Sequence, residues 1–187
     1  MYIYWWDKFN LQKPEFLNNS IVNEKDLSVL TKKITGVDIE YKLGLSNNVP
    51  MWTNFDELNR IYFNKDCEQI KTMIYHEVAH LITLPQIIPL FELNLKSFFI
   101  KAEFLAEKQS IKTAELNNDK TAIIDLINIT VIDHIVLENF NRNEHYYARN
   151  LLLKDEEYLK IAKKYVDLNK LIEYSYIWKD FYENGKN

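Results

Sequence analysis

This sequence is poor in the residues that break, staple or charge a chain. Its 187 residues include 3 glycines, 4 prolines and 1 cysteine. So few breakers favour long helices over a turn-rich β fold. Cys67 alone can form no intramolecular disulfide and no cysteine-based zinc cluster. Its ordinary place is a small buried residue or a helix start. A basic excess is also missing. There are 23 Lys and Arg against 27 Asp and Glu, a formal net charge of -4, which argues against displacing counterions from nucleic acid. The most apolar stretches, "LITLPQIIPLFELNL" and "AIIDLINITVIDHIVL", are too short or too polar to span a bilayer. "MYIYWWDKFN" lacks the basic n-region and continuous apolar run of a signal peptide, so the expected location is the cytoplasm, with no membrane partner. Internal repeats and low-complexity tracts are absent too.

Apolar residues make up 47 % and charged residues 27 %, an ordinary globular balance. The length suits one domain with a core of its own. We read residues 1–187 as a single domain, with strands in 1–66 and helices in 67–187. "NEKDLSVLTKKITG" is a first helix, with Asn23 as cap, acids in its first turn and Gly36 at its end. "VDIEYKL" alternates like a half-buried strand. "LSNNVPMWTNFDE" has turn chemistry, and "NRIYFNK" (Asn59 to Lys65) is a second short strand.

"DCEQIKTMIYHEVAHLI" then has helical periodicity, with Ile70, Met73, Ile74, Val78 and Leu81 on its apolar side. Pro85 and Pro89 prevent "TLPQIIPLFELN" from being one helix; this segment is a candidate lining for a specificity pocket. "LKSFFIKAEFLAEKQSIKTAE" is helical and ends at "NNDK". "TAIIDLINITVIDHIVLENF" is apolar on nearly every side, as a buried central helix is. The remainder, from "NRNEHYYARN" on, reads as one or two surface helices. The fold class expected is α+β, predominantly helical: a small N-terminal sheet, a helix carrying the site, and a C-terminal helical bundle.

The stretch that carries chemistry is "HEVAH". Residues four apart share one helix face, so His76 and His80 can aim both imidazoles at one point, an arrangement that suits zinc. Glu77 sits one step round the helix, where it can act as a base beside the metal. The ordinary alternative is a structural pair of histidines on a helix. A catalytic zinc needs a third protein ligand and an open fourth position. The next helix offers "AEFLAE", with Glu103 and Glu107 four apart. Phe99, Ala102 and Ala106 beside them suit a helix lying against another.

These residues together resemble the zincin metallopeptidases, and within them the gluzincins, whose second helix carries an E-x-x-A-acid pattern. The glycine and third histidine of the metzincin pattern would fall at Thr83 and Gln86, which excludes that class. The resemblance covers about a third of the chain. It implies Glu103 as third ligand and Glu107 as the residue holding a ligand histidine by its second ring nitrogen. Glu107 itself, or Asp133 or His134 of "IDHI", are the alternative ligands. It also implies a strand at the sheet edge beside the helix that pairs with an extended substrate, for which "NRIYFNK" is the candidate, and a downstream His or Tyr for the oxyanion, for which His145, Tyr146 and Tyr147 have the right side chains.

Each of the remaining features has an ordinary reading. Asp125, Asn128 and His134 are expected as internally bonded core residues, and Tyr146 with Tyr147 as an exposed aromatic pair. Tyr2, Tyr4, Trp5 and Trp6 are expected to cap the sheet, and "KDEEYLK" to be a solvated face. The expected function is zinc-dependent peptide hydrolysis on a protein or peptide substrate. The competing readings are a zincin-like domain that binds without cutting, and a metal-free helical interaction protein.

Overall fold

The structure is a computed structural model that describes residues 23–44, 51–54, 56–57, 59–64, 70–91, 94–138 and 143–184. Cys67 and the aromatic residues Tyr2, Tyr4, Trp5 and Trp6 lie outside them. The chain is α+β and predominantly helical. Among the described residues no helix is long and apolar enough to cross a membrane.

Helix α1 (Glu24–Thr35) starts where the Asn23 side chain accepts from the Asp26 amide at 2.9 Å, meeting one of the donors that a helix start leaves open. It stops at Gly36, whose φ of 76° only glycine adopts freely. Strand β1 (Glu40–Leu43) follows, tied back to the helix by a 2.7 Å contact between the Tyr41 and Thr31 hydroxyls. Strands β2 (Met51–Thr53) and β3 (Arg60–Phe63) complete a sheet of order β1-β3-β2. β1 runs parallel to β3, with Tyr41 opposite Ile61; β2 runs antiparallel to it, with Thr53 opposite Ile61.

Two expectations need correction. The stretch with turn chemistry holds β2, whose three residues are too few to show a period of two. And "NRIYFNK" supplies the central strand, not the edge: among the described residues β3 is flanked on both sides, and β1 and β2 are the two edges. Pairing partners are non-local, so a strand's own residues do not reveal its place in a sheet.

Helix α2 (Ile70–Thr83) carries HEVAH. Its buried residues Ile70, Ile74, Val78 and Leu81 pack with Leu27, Ile39, Tyr41, Met51, Ile61 and Phe63, so the sheet's inner face lies against the side expected from periodicity. Beyond it, Pro85 and Pro89 divide the chain into a 3-10 turn, Leu84–Gln86, and a one-turn helix α3 (Ile88–Phe91). Helix α4 (Leu95–Leu116) begins at an Asn94 cap. Ala102 and Ala106, both buried, let α4 approach α2 closely enough for the Ser110 hydroxyl to donate to the Tyr75 carbonyl at 3.1 Å. Phe98 fills the core beside them, whereas Phe99 is 37 % exposed. A leucine at position 106 would overpack this contact; we expect Ala106→Leu to cost about 1–3 kcal/mol in denaturant unfolding.

Helix α5 (Lys120–Leu137) is buried almost all round, as its composition implies. Three helices follow where one or two were expected: α6 (Glu144–Leu152), α7 (Glu156–Tyr165) and α8 (Leu168–Asn184). The breaks are marked by Asp155 and Asp167, whose carboxylates accept from the amides three residues on, a cap signal legible in the sequence. Glu156 and Glu157 of "KDEEYLK" are exposed, as expected of a solvated face, while Tyr158 is buried.

Asp125 and Asn128 of α5 are buried, whereas His134 is half-buried, and the Asn128 amide has no hydrogen-bond partner among the described residues. Asp125 accepts a 3.3 Å bond from the Thr72 hydroxyl of α2. Burial pushes its carboxyl up to about 7; the Thr72 bond opposes this and the Asp119 charge adds to it. The folded chain therefore holds a proton that the unfolded chain releases near pH 4. Stability from this group is complete below that pH and falls as pH rises to about 7, by up to ~4 kcal/mol at 1.4 kcal/mol per unit. We expect Asp125→Asn to flatten this fall in urea midpoints measured from pH 4 to 8.

Candidate metal centre

Helix α2 presents His76 and His80 one turn apart, with their Nε2 atoms 3.1 Å from each other and their rings edge to face. Helix α4 lies alongside and brings in Glu103. Its Oε2 is 3.4 Å from His76 Nε2 and 3.5 Å from His80 Nε2. Three ligand atoms from two helices thus converge on one small volume. His145 on α6 reaches the same carboxylate, with Nδ1 3.0 Å from Oε2.

Glu103 Oε2 is the point on which three imidazoles converge. Oε2 is buried and has three imidazole nitrogens within 3.0–3.5 Å of it. Buried carboxylate oxygens are normally satisfied by donors pointing at them. Two imidazole nitrogens and one carboxylate oxygen this close together are also a set that could hold a cation. His76, His80 and Glu103 form one group able to hold a metal ion; Glu103, Glu107 and His145 form a second, sharing Glu103.

The charges are mutually adjusted. Burial opposes ionisation of Glu103, but the His80 charge and the contacts of His145, His76 and His80 hold its carboxyl well below the usual range. Burial likewise opposes protonation of His76, and Glu103 outweighs it, raising the imidazole. The site is therefore a negative point held among bases.

Glu77 stands beside His76, His80 and Glu103 and belongs to neither group. Only 7 % of it is exposed. Burial lifts its carboxyl above the ordinary range; His76 and His80 pull the other way, as does the side chain of Thr53 on β2. That contact sets strand β2 against Glu77.

Glu107 does not hold a ligand histidine. Its Oε1 accepts from Arg149 Nε at 3.0 Å and its Oε2 from the Thr130 hydroxyl at 3.0 Å. Asp133 and His134 belong to neither ligand group. Asp133 accepts from Arg149 Nη1 at 3.1 Å, and His134 stacks on Tyr146 at 4.8 Å between centroids. Tyr146 is buried, so the exposed aromatic pair is not found; Tyr147 meets it edge to face with Lys96 over its own ring.

Sequence reasoning missed Arg149. Its signal was present in "HYYAR", where His145 and Arg149 repeat the four-residue spacing of Glu103 and Glu107. No protein-family model, no curated protein and no solved structure matches this chain.

Proposed function

We propose that this chain is a zinc-dependent metallopeptidase of the zincin type, with His76, His80 and Glu103 as metal ligands and Glu77 as general base. The observation that carries the proposal is the convergence of two imidazole Nε2 atoms and one carboxylate oxygen at 3.1–3.5 Å from one another. Tetrahedral zinc with bonds of about 2.0–2.2 Å has ligand atoms roughly 3.3–3.6 Å apart. Two neutral nitrogens and one carboxylate are also the donor set of zinc hydrolases that keep a position open.

Held by His76, His80 and Glu103, zinc would supply Lewis acidity, the chemistry that makes water nucleophilic near neutral pH and polarises a carbonyl. The rest is done by the chain's own residues. Glu77, lifted by burial toward the pH at which a base is most effective, takes the proton of the attacking water and returns it to the leaving amine. Edge strand β2, antiparallel to β3 and adjacent to Glu77 through Thr53, offers backbone groups to an extended peptide. His145, whose side chain is 41 % exposed, is the one imidazole of the cluster open enough to meet a substrate oxygen. The substrate class that follows is an extended protein or peptide segment.

Incubating the zinc-loaded protein with an unstructured protein such as casein, followed by mass spectrometry of the fragments, tests the reading. New termini produced by the parent and absent with Glu77→Gln would support it. Zinc held tightly with no cleavage of casein or of a broad peptide library would move the chain to a binding role.

A further inference from the structure

We infer that Arg149 is a positioning residue for the metal ligand Glu103, acting through His145, with which it shares helix α6. The inference rests on the metal reading proposed above. It begins from a match of spacing. Helix α4 presents Glu103 and Glu107 one turn apart, and helix α6 presents His145 and Arg149 one turn apart. They meet rung by rung: His145 Nδ1 to Glu103 Oε2 at 3.0 Å, and Arg149 Nε to Glu107 Oε1 at 3.0 Å.

The two rungs differ in what they can bear. The His145 side chain is 41 % exposed, whereas those of Arg149 and Glu107 are 9 % and 6 % exposed. A partly open imidazole contact does not by itself fix a helix. A buried guanidinium does, because its rigid fork must satisfy each carboxylate in one orientation. Arg149 also reaches Asp133 on α5 through Nη1, and the second oxygen of Glu107 is held by Thr130 of α5. One guanidinium thus ties α4, α5 and α6 together directly below the ligand. Helix α6 has nine residues, too few to be stable without such anchoring, so the place of His145 beside Glu103 depends on the lower rung.

Charge gives Arg149 a second consequence. Glu103, Glu107 and His145 are spaced as a metal-binding group, but the guanidinium already neutralises Glu107. The cluster is therefore built for one metal, at His76, His80 and Glu103, and its second cation is Arg149.

The test is a double-mutant cycle on zinc affinity, by competition with a chelator, using parent, Arg149→Lys, His145→Ala and the double variant. Cobalt(II) is substituted for zinc so that visible absorption reports ligand geometry, which a loss of global stability leaves unchanged while the chain is folded. Lysine keeps the charge and loses the fork. Arg149→Lys should weaken zinc about 10-fold, the lower end for residues that orient a ligand, and shift the cobalt bands. In the His145→Ala background the same change should have a clearly smaller effect, because the route through His145 is cut and only the one through Glu107 remains. Should Arg149→Lys fail to fold, Asp133→Asn loosens the same fork from its more exposed side and takes its place in the cycle. Zinc bound as tightly by the variant as by the parent would overturn this inference alone. So would effects that multiply in the double variant. A parent that binds no zinc would overturn the metal reading and this inference with it.

Discussion

Glu77→Gln is expected to keep the metal and lose the chemistry. Glutamine has nearly the volume of glutamate and leaves His76, His80 and Glu103 untouched. It cannot accept a proton, and removing a positioned general base costs roughly 10²–10⁴-fold in rate. Two features of the site make the upper half of that range the expectation. Glu77 is 7 % exposed, so bulk water is a poor substitute base, and burial has raised its carboxyl toward neutrality. The check is kcat and zinc content measured on the same preparation. Equal zinc with kcat at least about 10³-fold lower is the expected pair. Turnover retained at the parental rate would remove Glu77 from the role of base.

Loss of a ligand should have the opposite signature, with metal and chemistry disappearing together. Zinc in small protein sites is bound by about 10–16 kcal/mol in total, so each of three ligands carries roughly 3–5 kcal/mol and its removal weakens binding about 10²–10⁴-fold. His80→Ala and Glu103→Ala should both show this, and Glu103→Ala should show it as fully as the histidine change. Glu103 Oε2 is the one carboxylate oxygen in the three-atom group and touches both imidazoles. Isothermal titration with zinc checks it. A Glu103→Ala chain that binds like the parent would move the third ligand elsewhere, with Glu107 first in line because it belongs to the neighbouring group. Glu107→Gln separates the cases: its bonds to Arg149 and Thr130 make its expected effect that of a weakened scaffold, not of a lost ligand.

How much of this was legible beforehand depended on range. Features set within one helical turn were read correctly. Asn23 and Gly36 bound the first helix, the apolar positions of α2 face the sheet core, the prolines divide the segment after HEVAH, and the all-round apolar α5 is central. His76 and His80 share a face because a helix puts residues four apart together. Features set by pairing between distant segments were not legible. β2 is three residues long and exists only through its register with β3. That same pairing makes β3 central, which reverses the expected edge. Asp155 and Asp167 are an intermediate case: their cap signals were present, but a continuous helical periodicity across residues 144–184 masked the breaks.

The site shows the same division. Glu103 was reached by its spacing from Glu107 on a helix expected to lie beside α2, and the small residues Ala102 and Ala106 are what allow that approach. His145 was named for its chemistry, but nothing local sets it against a carboxylate forty-two residues earlier. Arg149 was passed over because a lone arginine on a surface helix is ordinarily solvated. Only the packing of α6 on α4 and α5 buries it between Glu107 and Asp133.

The central claim is that HEVAH and Glu103 form one metal centre. It is tested most directly by the zinc content of the purified protein, supplied with zinc and then dialysed against metal-free buffer, with X-ray absorption at the zinc edge on the same sample. The account predicts about one zinc per chain, with two imidazole nitrogens and one protein carboxylate oxygen in its coordination shell, at bond lengths near 2.0–2.2 Å. A chain that retains no zinc after loading would contradict it and leave HEVAH a pair of histidines on a buried helix.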